Sequence, residues 1–564
     1  MGKSGEAIIA DSGTYDVVVI GAGAGGLAAA TFAALQGVRT LLVESTDYVG
    51  GTSAYSAGTV WAPNTRLAAT VGAEDSPETV LRYLDNAVGN RSPRALREAF
   101  VANAPAAIHT LMDCTKTQFR AYPRHPDYLS ELDGSAVKGR AIEPLPFDAS
   151  VLGKDMALVR PPIPEFTILG GLMVDRTDIT HLLGMTRSMT SLRHAVRLVG
   201  GYARDRLRYG RSARMVMGNA LIGRLLLSAR EAGVELRMNT RVTGLASKQD
   251  GTRLTLDDGK TLCATGGVIL ATGGFARHLT RRAELLPDPV PEHSPSAPGH
   301  TGALHDIVLE LGARYGEGGA SHVFMAPVSK KTRPDGSMAI FPHFVFDRSK
   351  PGTVCVGKTG KRFTNESRSY HEFALAQYET GTIPAYLITD AVGLKSYGLG
   401  LVRPGGMGKA ALVKDGYLTE APSLTALASA LGIDAAGLEA TVAQMNVFAK
   451  TGLDTAFHRG ETAYERHNGD PSHAPNPTLG PIATAPFYAV TLWPADIGAA
   501  TGLLTDEKAR LLDGDGQPIS GLYACGNDMQ SIMGGVYPGP GITIGPAITF
   551  GYIAAMDAVA RSAA

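Results

Sequence analysis

The chain has 564 residues, 44% of them hydrophobic, with 53 basic and 53 acidic side chains. A zero net charge excludes a general nucleic-acid binder, and this length exceeds one simple core, so two intertwined domains are expected. Four scattered cysteines without a CxxC pair, a short polar stretch before Ser12 and no apolar run of about 18 residues point to a cytoplasmic protein without spanning segments; no metal site is expected.

Val17–Ile20 is a short β-rich run, expected as the first strand of a parallel sheet. Gly21, Gly23, Gly25 and Gly26 follow directly, and 27–36 reads as a helix. In this setting Gly21 allows a tight turn, Gly23 lets backbone approach a pyrophosphate and Gly26 lets helix pack on strand. The helix start then offers unsatisfied amides to phosphate. A second strand over 38–43 ends in Glu44, placed for ribose hydroxyls. The Gly50–Gly58 loop, with Gly51, Thr52, Ser53 and Ser56, is a second glycine–serine turn just beyond that acid.

Arg187–Arg214 holds eight arginines and one acid, Asp205, interleaved with Leu192, Val196, Leu198, Val199, Tyr202 and Leu207. Two readings stay open. One is a basic amphipathic surface for an anionic membrane; the other is a solvated helix whose arginine stems cover a core. Thr252–Leu262 reads as a hairpin turning at Asp258-Gly259. Val268–Gly274, with Ala271, Thr272 and Gly273, and Gly521–Asp528, with Gly526, Asn527 and Asp528, read as buried strands entering tight turns. The C-terminal Tyr537-Pro-Gly-Pro-Gly541 turns into a helix from about Thr543.

The order GxGxxG, Glu44, GGTSAYSAG, GKRFTNE and GLYACGND resembles the flavoprotein group of fumarate reductases and 3-ketosteroid dehydrogenases, over nearly the whole chain. The C-terminal tyrosine–glycine segment resembles the 3-ketosteroid 1-dehydrogenases. The resemblance implies an α/β fold, a Rossmann-like FAD-binding domain (1–113, 161–325, 496–564) with an inserted α+β catalytic domain (114–160, 326–495). It implies FAD on Gly21, Gly23, Gly25, Gly26, Glu44, Gly51, Thr52, Ser53, Ser56, Gly58, Val242, Ala271, Thr272, Gly273, Gly526, Asn527, Asp528, Ile542 and Ile544. The Asp528 carboxylate would hold the ribityl chain. With no histidine before His109, the covalent route used by some members is closed, and noncovalent FAD is expected.

The resemblance also implies chemistry. Tyr537 hydroxyl and Gly541 N–H would bind a ketone oxygen, as an oxyanion hole does. Tyr370 would remove the α-proton with help from Tyr128. A free tyrosine titrates near ~10, so it needs a relay or a positive field to act as base. The substrate expected is a cyclic ketone, foremost a 3-ketosteroid desaturated at C1–C2, with a quinone-like electron acceptor. Alternatives are 4-dehydrogenation, a small cyclic ketone, or a fumarate-type reductase clamping a dicarboxylate through Arg362 or Arg403. Glu366 is common to both branches and does not discriminate, and Arg368 is out of step with the reductase arginine. His343 is a candidate pocket residue, and 155–215 looks like added material over the site.

Overall fold

The computed structural model describes residues 11–248, 250–344 and 347–563. Strand β1 (Asp11–Ile20) runs through Gly21–Gly23 into helix α1 (Ala24–Ala34), and β2 (Thr40–Val43) returns parallel to β1. The second strand is shorter at its start than the apolar run suggested, because Gly37 turns the chain at φ +81 and pairing begins only at Thr40. β3 (Thr261–Leu270) lies parallel on the other side of β1 and takes Pro518–Ala524 as its own parallel neighbour. The full path is Glu235–Arg237, β2, β1, β3, Gly251–Leu256, Val242–Lys248, the last pairs antiparallel. The hairpin expected at Asp258-Gly259 joins Gly251–Leu256 to β3.

Every residue of α1 is buried. Its alanines and glycines let the C-terminal helix Ile544–Ser562 cross closely; a Cβ on Gly551 would lie 3.0 Å from the Gly25 carbonyl oxygen. Small side chains here exchange bulk for proximity, which aligns both helix starts with one cavity.

The arginine-rich stretch forms a cap of two helices, α2 (Arg176–Leu183) and α3 (Met189–Tyr209). The inner face of α3 buries Ala195, Leu198, Tyr202 and Asp205, and packs on Leu172 and Val174. Its outer face carries Arg193, Arg197, Arg204 and Arg208 together with exposed Met189, Val196 and Leu207.

A second sheet is wholly antiparallel. It runs Met338–Pro342, β4 (Val323–Thr332), β5 (Phe487–Ala499), Ala385–Thr389, Thr353–Val356, with Thr419–Ala421 on β5. Helix α4 (Tyr370–Glu379) packs against it. The 114–160 segment was expected to cross into the catalytic domain. Its strand Ala141–Pro144 pairs with Val60–Trp61 on one side and with Phe119–Ala121 on the other, and Phe119, Ile142 and Phe147 join the core of the parallel sheet. Val60–Trp61 offers a free edge there, which local sequence does not advertise.

His371 on α4 joins the two units. Its Nδ1 accepts from Met325 N at 3.1 Å and its Nε2 faces the Gly535 carbonyl oxygen at 3.0 Å. Burial pushes this imidazole down to about 4, the bond to Gly535 opposing only in part. Burial holds His467 at about 4 as well. Between pH 6.5 and 4 the unfolded chain therefore binds protons that the folded chain refuses, so stability falls as pH falls through that window. Each histidine contributes a loss on the order of 3 kcal/mol. Denaturant midpoints measured from pH 7.5 to 4.5 are expected to drop steadily; a flat profile would contradict the assignment.

Candidate active site

A single cavity of about 1230 Å³ runs from the α1 start to the inner face of the second sheet. One drug-sized ligand needs roughly 300–1,000 Å³, so the space suits a cofactor and a substrate together. The expected residues Gly21, Gly23, Gly25, Glu44, Gly51, Thr52, Ser53, Ser56, Gly58, Val242, Ala271, Thr272, Gly273, Gly526, Asn527 and Ile544 line it. Glu44 Oε2 accepts from Ala22 N at 2.9 Å and Oε1 from Thr46 N at 2.9 Å, which fixes the carboxylate at the β2 end.

Three expected cofactor residues sit elsewhere. Gly26 faces the turn, not the cavity; a Cβ there would lie 1.8 Å from the Gly21 carbonyl oxygen. Ile542 is buried in the core beside the loop. Asp528 is fully buried and accepts from Thr272 N, from Thr272 Oγ1 at 2.8 Å and from Gly274 N at 2.9 Å, with His305 Nε2 at 2.9 Å. Burial would raise this carboxyl, but His305 and Thr272 hold it below the ordinary range. In this arrangement it braces the Thr272 turn, leaving Gly526 and Asn527 to face the cavity.

The close Gly26–Gly21 approach has a direct consequence. Gly26→Ala must push α1 away from the turn, and the amides that face phosphate move with it. The purified variant is expected to lose most of its flavin absorbance; retention of full visible colour would refute this.

Sequence reasoning missed several lining residues. Arg160 reaches Thr46 Oγ1 at 3.1 Å and keeps a buried Nε without a partner. His300 brings its ring nitrogens within 3.5 Å of Thr52 Oγ1. So a histidine does adjoin the second glycine loop, arriving from a distant part of the chain. His125, Phe324, Phe344 and Tyr464 also line the cavity. None carries a local signature, because long-range packing places them.

Tyr128, Tyr370 and Tyr537 converge at the far end. The Tyr128 and Tyr370 hydroxyls are 3.4 Å apart, and the Tyr370 and Tyr537 ring centroids 5.0 Å. Tyr370 is the first residue of α4, behind the N-cap Ser369, whose Oγ accepts from Glu372 N. Tyr128 follows Asp127, which accepts from Trp61 Nε1 at 2.8 Å and from Arg140 Nη1 at 2.8 Å. Arg140 is itself bidentate to Asp75. The Pro538 carbonyl accepts from Tyr128 N at 2.8 Å and from Tyr83 hydroxyl at 2.5 Å. These bonds tie the tyrosine loops to one another.

Burial pushes the Tyr370 hydroxyl well above its usual value, and Tyr128 and Tyr537 add to the shift. Burial also raises Tyr537, with bonds to Tyr370 and Thr543 opposing it. The Gly541 N–H lines the same end and donates to no protein acceptor among the described residues.

Arg362 and Arg403, the two arginines expected to clamp a dicarboxylate in the reductase alternative, do not line this cavity. Arg362 is buried in ion pairs with Glu366 at 2.7 Å and Asp454 at 2.8 Å. Arg368 pairs with Glu131 and Glu465. Arg403 donates to the Thr167 carbonyl at 2.7 Å and lines a separate, smaller pocket. His343 also turns away: its Nδ1 meets Asp347 at 2.6 Å and its Nε2 meets Ser329 Oγ at 2.7 Å. Its neighbours Phe341, Pro342 and Phe344 line the cavity instead.

The FAD binding domain family matches residues 16–544. A 3-oxosteroid 1-dehydrogenase of Mycolicibacterium smegmatis is 35% identical, covering 98% of each chain. The chain belongs to the FAD-dependent 3-ketosteroid 1-dehydrogenase family. Membership of this dehydrogenase family makes it an FAD-dependent enzyme acting on CH–CH groups. A 4-oxocyclohex-2-ene-1-carboxylate 5-dehydrogenase of Sinomonas cyclohexanicum is also 35% identical, over 97% of this chain and 94% of that one. The crystal structure of 3-ketosteroid delta1-dehydrogenase from Sterolibacterium denitrificans, in complex with 1,4-androstadiene-3,17-dione, superposes with TM-score 0.89 at 34% identity. It covers 97% of this chain and 99% of that one. The cavity suits the dehydrogenase family's cofactor on its own terms: glycines at the α1 start, a carboxylate at the β2 end and an unpartnered buried Arg160 Nε beside them.

Proposed function

We propose that the protein desaturates a 3-ketosteroid between C1 and C2. The observation that carries the reading is the meeting of three tyrosine hydroxyls and the Gly541 N–H at one end of a dinucleotide-sized cavity. Tyr537 and Gly541 donate to the ketone oxygen, which stabilises the enolate by about 3 kcal/mol per donor. That polarisation acidifies the α-carbon, and Tyr370 takes its proton. In the neutral cluster Tyr128 helps to keep Tyr370 protonated; its hydroxyl, 3.4 Å away, must turn to donate to the phenolate as the proton leaves. Phe324, Phe344 and Tyr464 line the apolar walls that exclude water from this end. Bound FAD supplies the acceptor for the hydride that leaves the β-carbon. Because burial raises all three hydroxyls, proton removal is expected to accelerate with rising pH.

FAD is held noncovalently in this reading, despite His300 beside Thr52; acid precipitation should leave all flavin in the supernatant. The electron acceptor is a quinone-like oxidant. The outer face of α3, with arginines beside Met189, Val196 and Leu207, supports peripheral contact with an anionic bilayer that dissolves such substrates. No helix among the described residues is long and apolar enough to cross a membrane.

Anaerobic mixing of the yellow protein with a 3-ketosteroid, with cyclohexanone and with succinate tests the reading. Bleaching of the visible flavin band by the steroid is the expected result. Silence with ketones, together with reoxidation of reduced flavin by fumarate, would turn the assignment to a reductase.

A further inference from the structure

A second pocket of about 440 Å³ lies between the cap and the second sheet. Pro162 and Met173 line both this pocket and the large cavity, so the two share a wall. Four arginines line the smaller one. Arg214 is neutralised by Asp178 at 2.8 Å. Arg206, Arg211 and Arg403 have no carboxylate partner among the described residues; each bonds only backbone carbonyls, at Gly210, Met156 and Val159, and Thr167. Asp175 lies 3.6 Å from the same Arg214, and Asp205 is held by Ala213 N at 3.0 Å and Arg204 at 3.3 Å. Asn219, fully buried on the floor, keeps an Oδ1 without a partner, an acceptor ready for a bound water or ligand hydroxyl.

Burial costs a guanidinium its hydration, and without a counter-charge that cost stands uncompensated. Burial indeed pushes Arg211 below its ordinary range. Arg211, partly buried without a counter-charge, together with the exposed Arg206 and Arg403 around the same concavity, makes a site for a planar anion, which guanidinium binds in bidentate fashion. In the ketosteroid reading the ketone sits at the tyrosine end of the large cavity, and the wall it shares with the smaller pocket includes Pro162 and Met173.

We infer that this arginine pocket receives a carboxylate carried on the far end of the ketone substrate, so that acidic ketosteroids are preferred over neutral ones. The inference rests on the ketosteroid reading above. Arg206 and Arg403 at the rim guide the anion, and Arg211 anchors it.

Two 3-ketosteroids that differ only in a side chain ending in carboxylate or in primary alcohol decide the matter, assayed with holoenzyme. The acid is expected to show a kcat/KM about tenfold or more higher, mainly through KM, as one charge-assisted pair supplies. Arg211→Gln and Arg403→Gln should each shrink the acid-to-alcohol ratio several-fold. Inorganic phosphate should inhibit the acid competitively at lower concentration than it affects the alcohol. A ratio near one in the unsubstituted enzyme, with the alcohol turned over, overturns the inference and leaves the ketosteroid reading intact. A ratio unaffected by both substitutions, with phosphate or anionic vesicles still bound, assigns the pocket to a free anion or lipid headgroup and overturns it too. Turnover of neither steroid overturns both readings.

Discussion

Tyr370→Phe is expected to lower the rate of flavin reduction by about two to four orders of magnitude, the usual worth of a positioned proton acceptor. The ring itself is retained. It packs edge-on against Phe344 at 4.9 Å and Tyr537 at 5.0 Å, so phenylalanine preserves the cluster and the α4 start. FAD content and KM should therefore stay near those of the unsubstituted enzyme, because the lost hydroxyl acts on the transition state and not on ground-state binding. Tyr128→Phe removes only the neighbour 3.4 Å away and should cost less, on the order of tenfold. The residual activity of Tyr370→Phe should also lose its rise with pH. Stopped-flow bleaching from pH 6 to 10 reads both effects. A near-normal rate in the Tyr370 variant would remove it from the mechanism.

Local sequence made the dinucleotide half legible because its signals are local. Strand, glycines, helix and Glu44 lie within a few turns of one another, and each glycine has a nearby reason. Gly26 packs on Gly21, the role its place in the motif gave it, and Asp528 accepts from the Thr272 turn. Both point at partners, Gly21 and Thr272, that only the folded register brings close. The tyrosine end was legible through family resemblance, and the residues that hold it were not. Tyr83 meets Pro538 across 455 residues of chain, and Asp127 meets Trp61 across 66. Such contacts follow from the Val60–Trp61 edge pairing, which no periodicity announces. Tyr122 and Tyr128 show the same limit. They are six residues apart and both line the cavity, yet Tyr122 bonds Thr59 at 3.2 Å while Tyr128 reaches Tyr370.

Gly541→Ala is expected to reduce kcat/KM by about two to three orders of magnitude, the cost of a lost oxyanion donor. The backbone at Gly541 has φ +86, a region that disfavours any side chain. A Cβ there would meet the Thr59 carbonyl oxygen at 2.3 Å and Trp61 N at 2.8 Å. Both are backbone atoms in or next to the paired strand Val60–Trp61, so the loop must move and not its neighbour. The Trp61 N–H bond to the Gly541 carbonyl, 3.1 Å long, goes with it. Tyr537 sits four residues upstream on the same loop, so the two donors lose their common aim at once. The comparison with Tyr537→Phe is therefore informative. That variant deletes one hydroxyl and leaves the loop docked through Pro538 to Tyr83 and Tyr128. Gly541→Ala should cost more than Tyr537→Phe, and the double variant little more than Gly541→Ala alone, because the displaced loop has already lost both donors. Losses that multiply would instead mean that Tyr537 keeps its aim when the Gly541 backbone moves, and the coupling of the two donors through one loop would have to be abandoned.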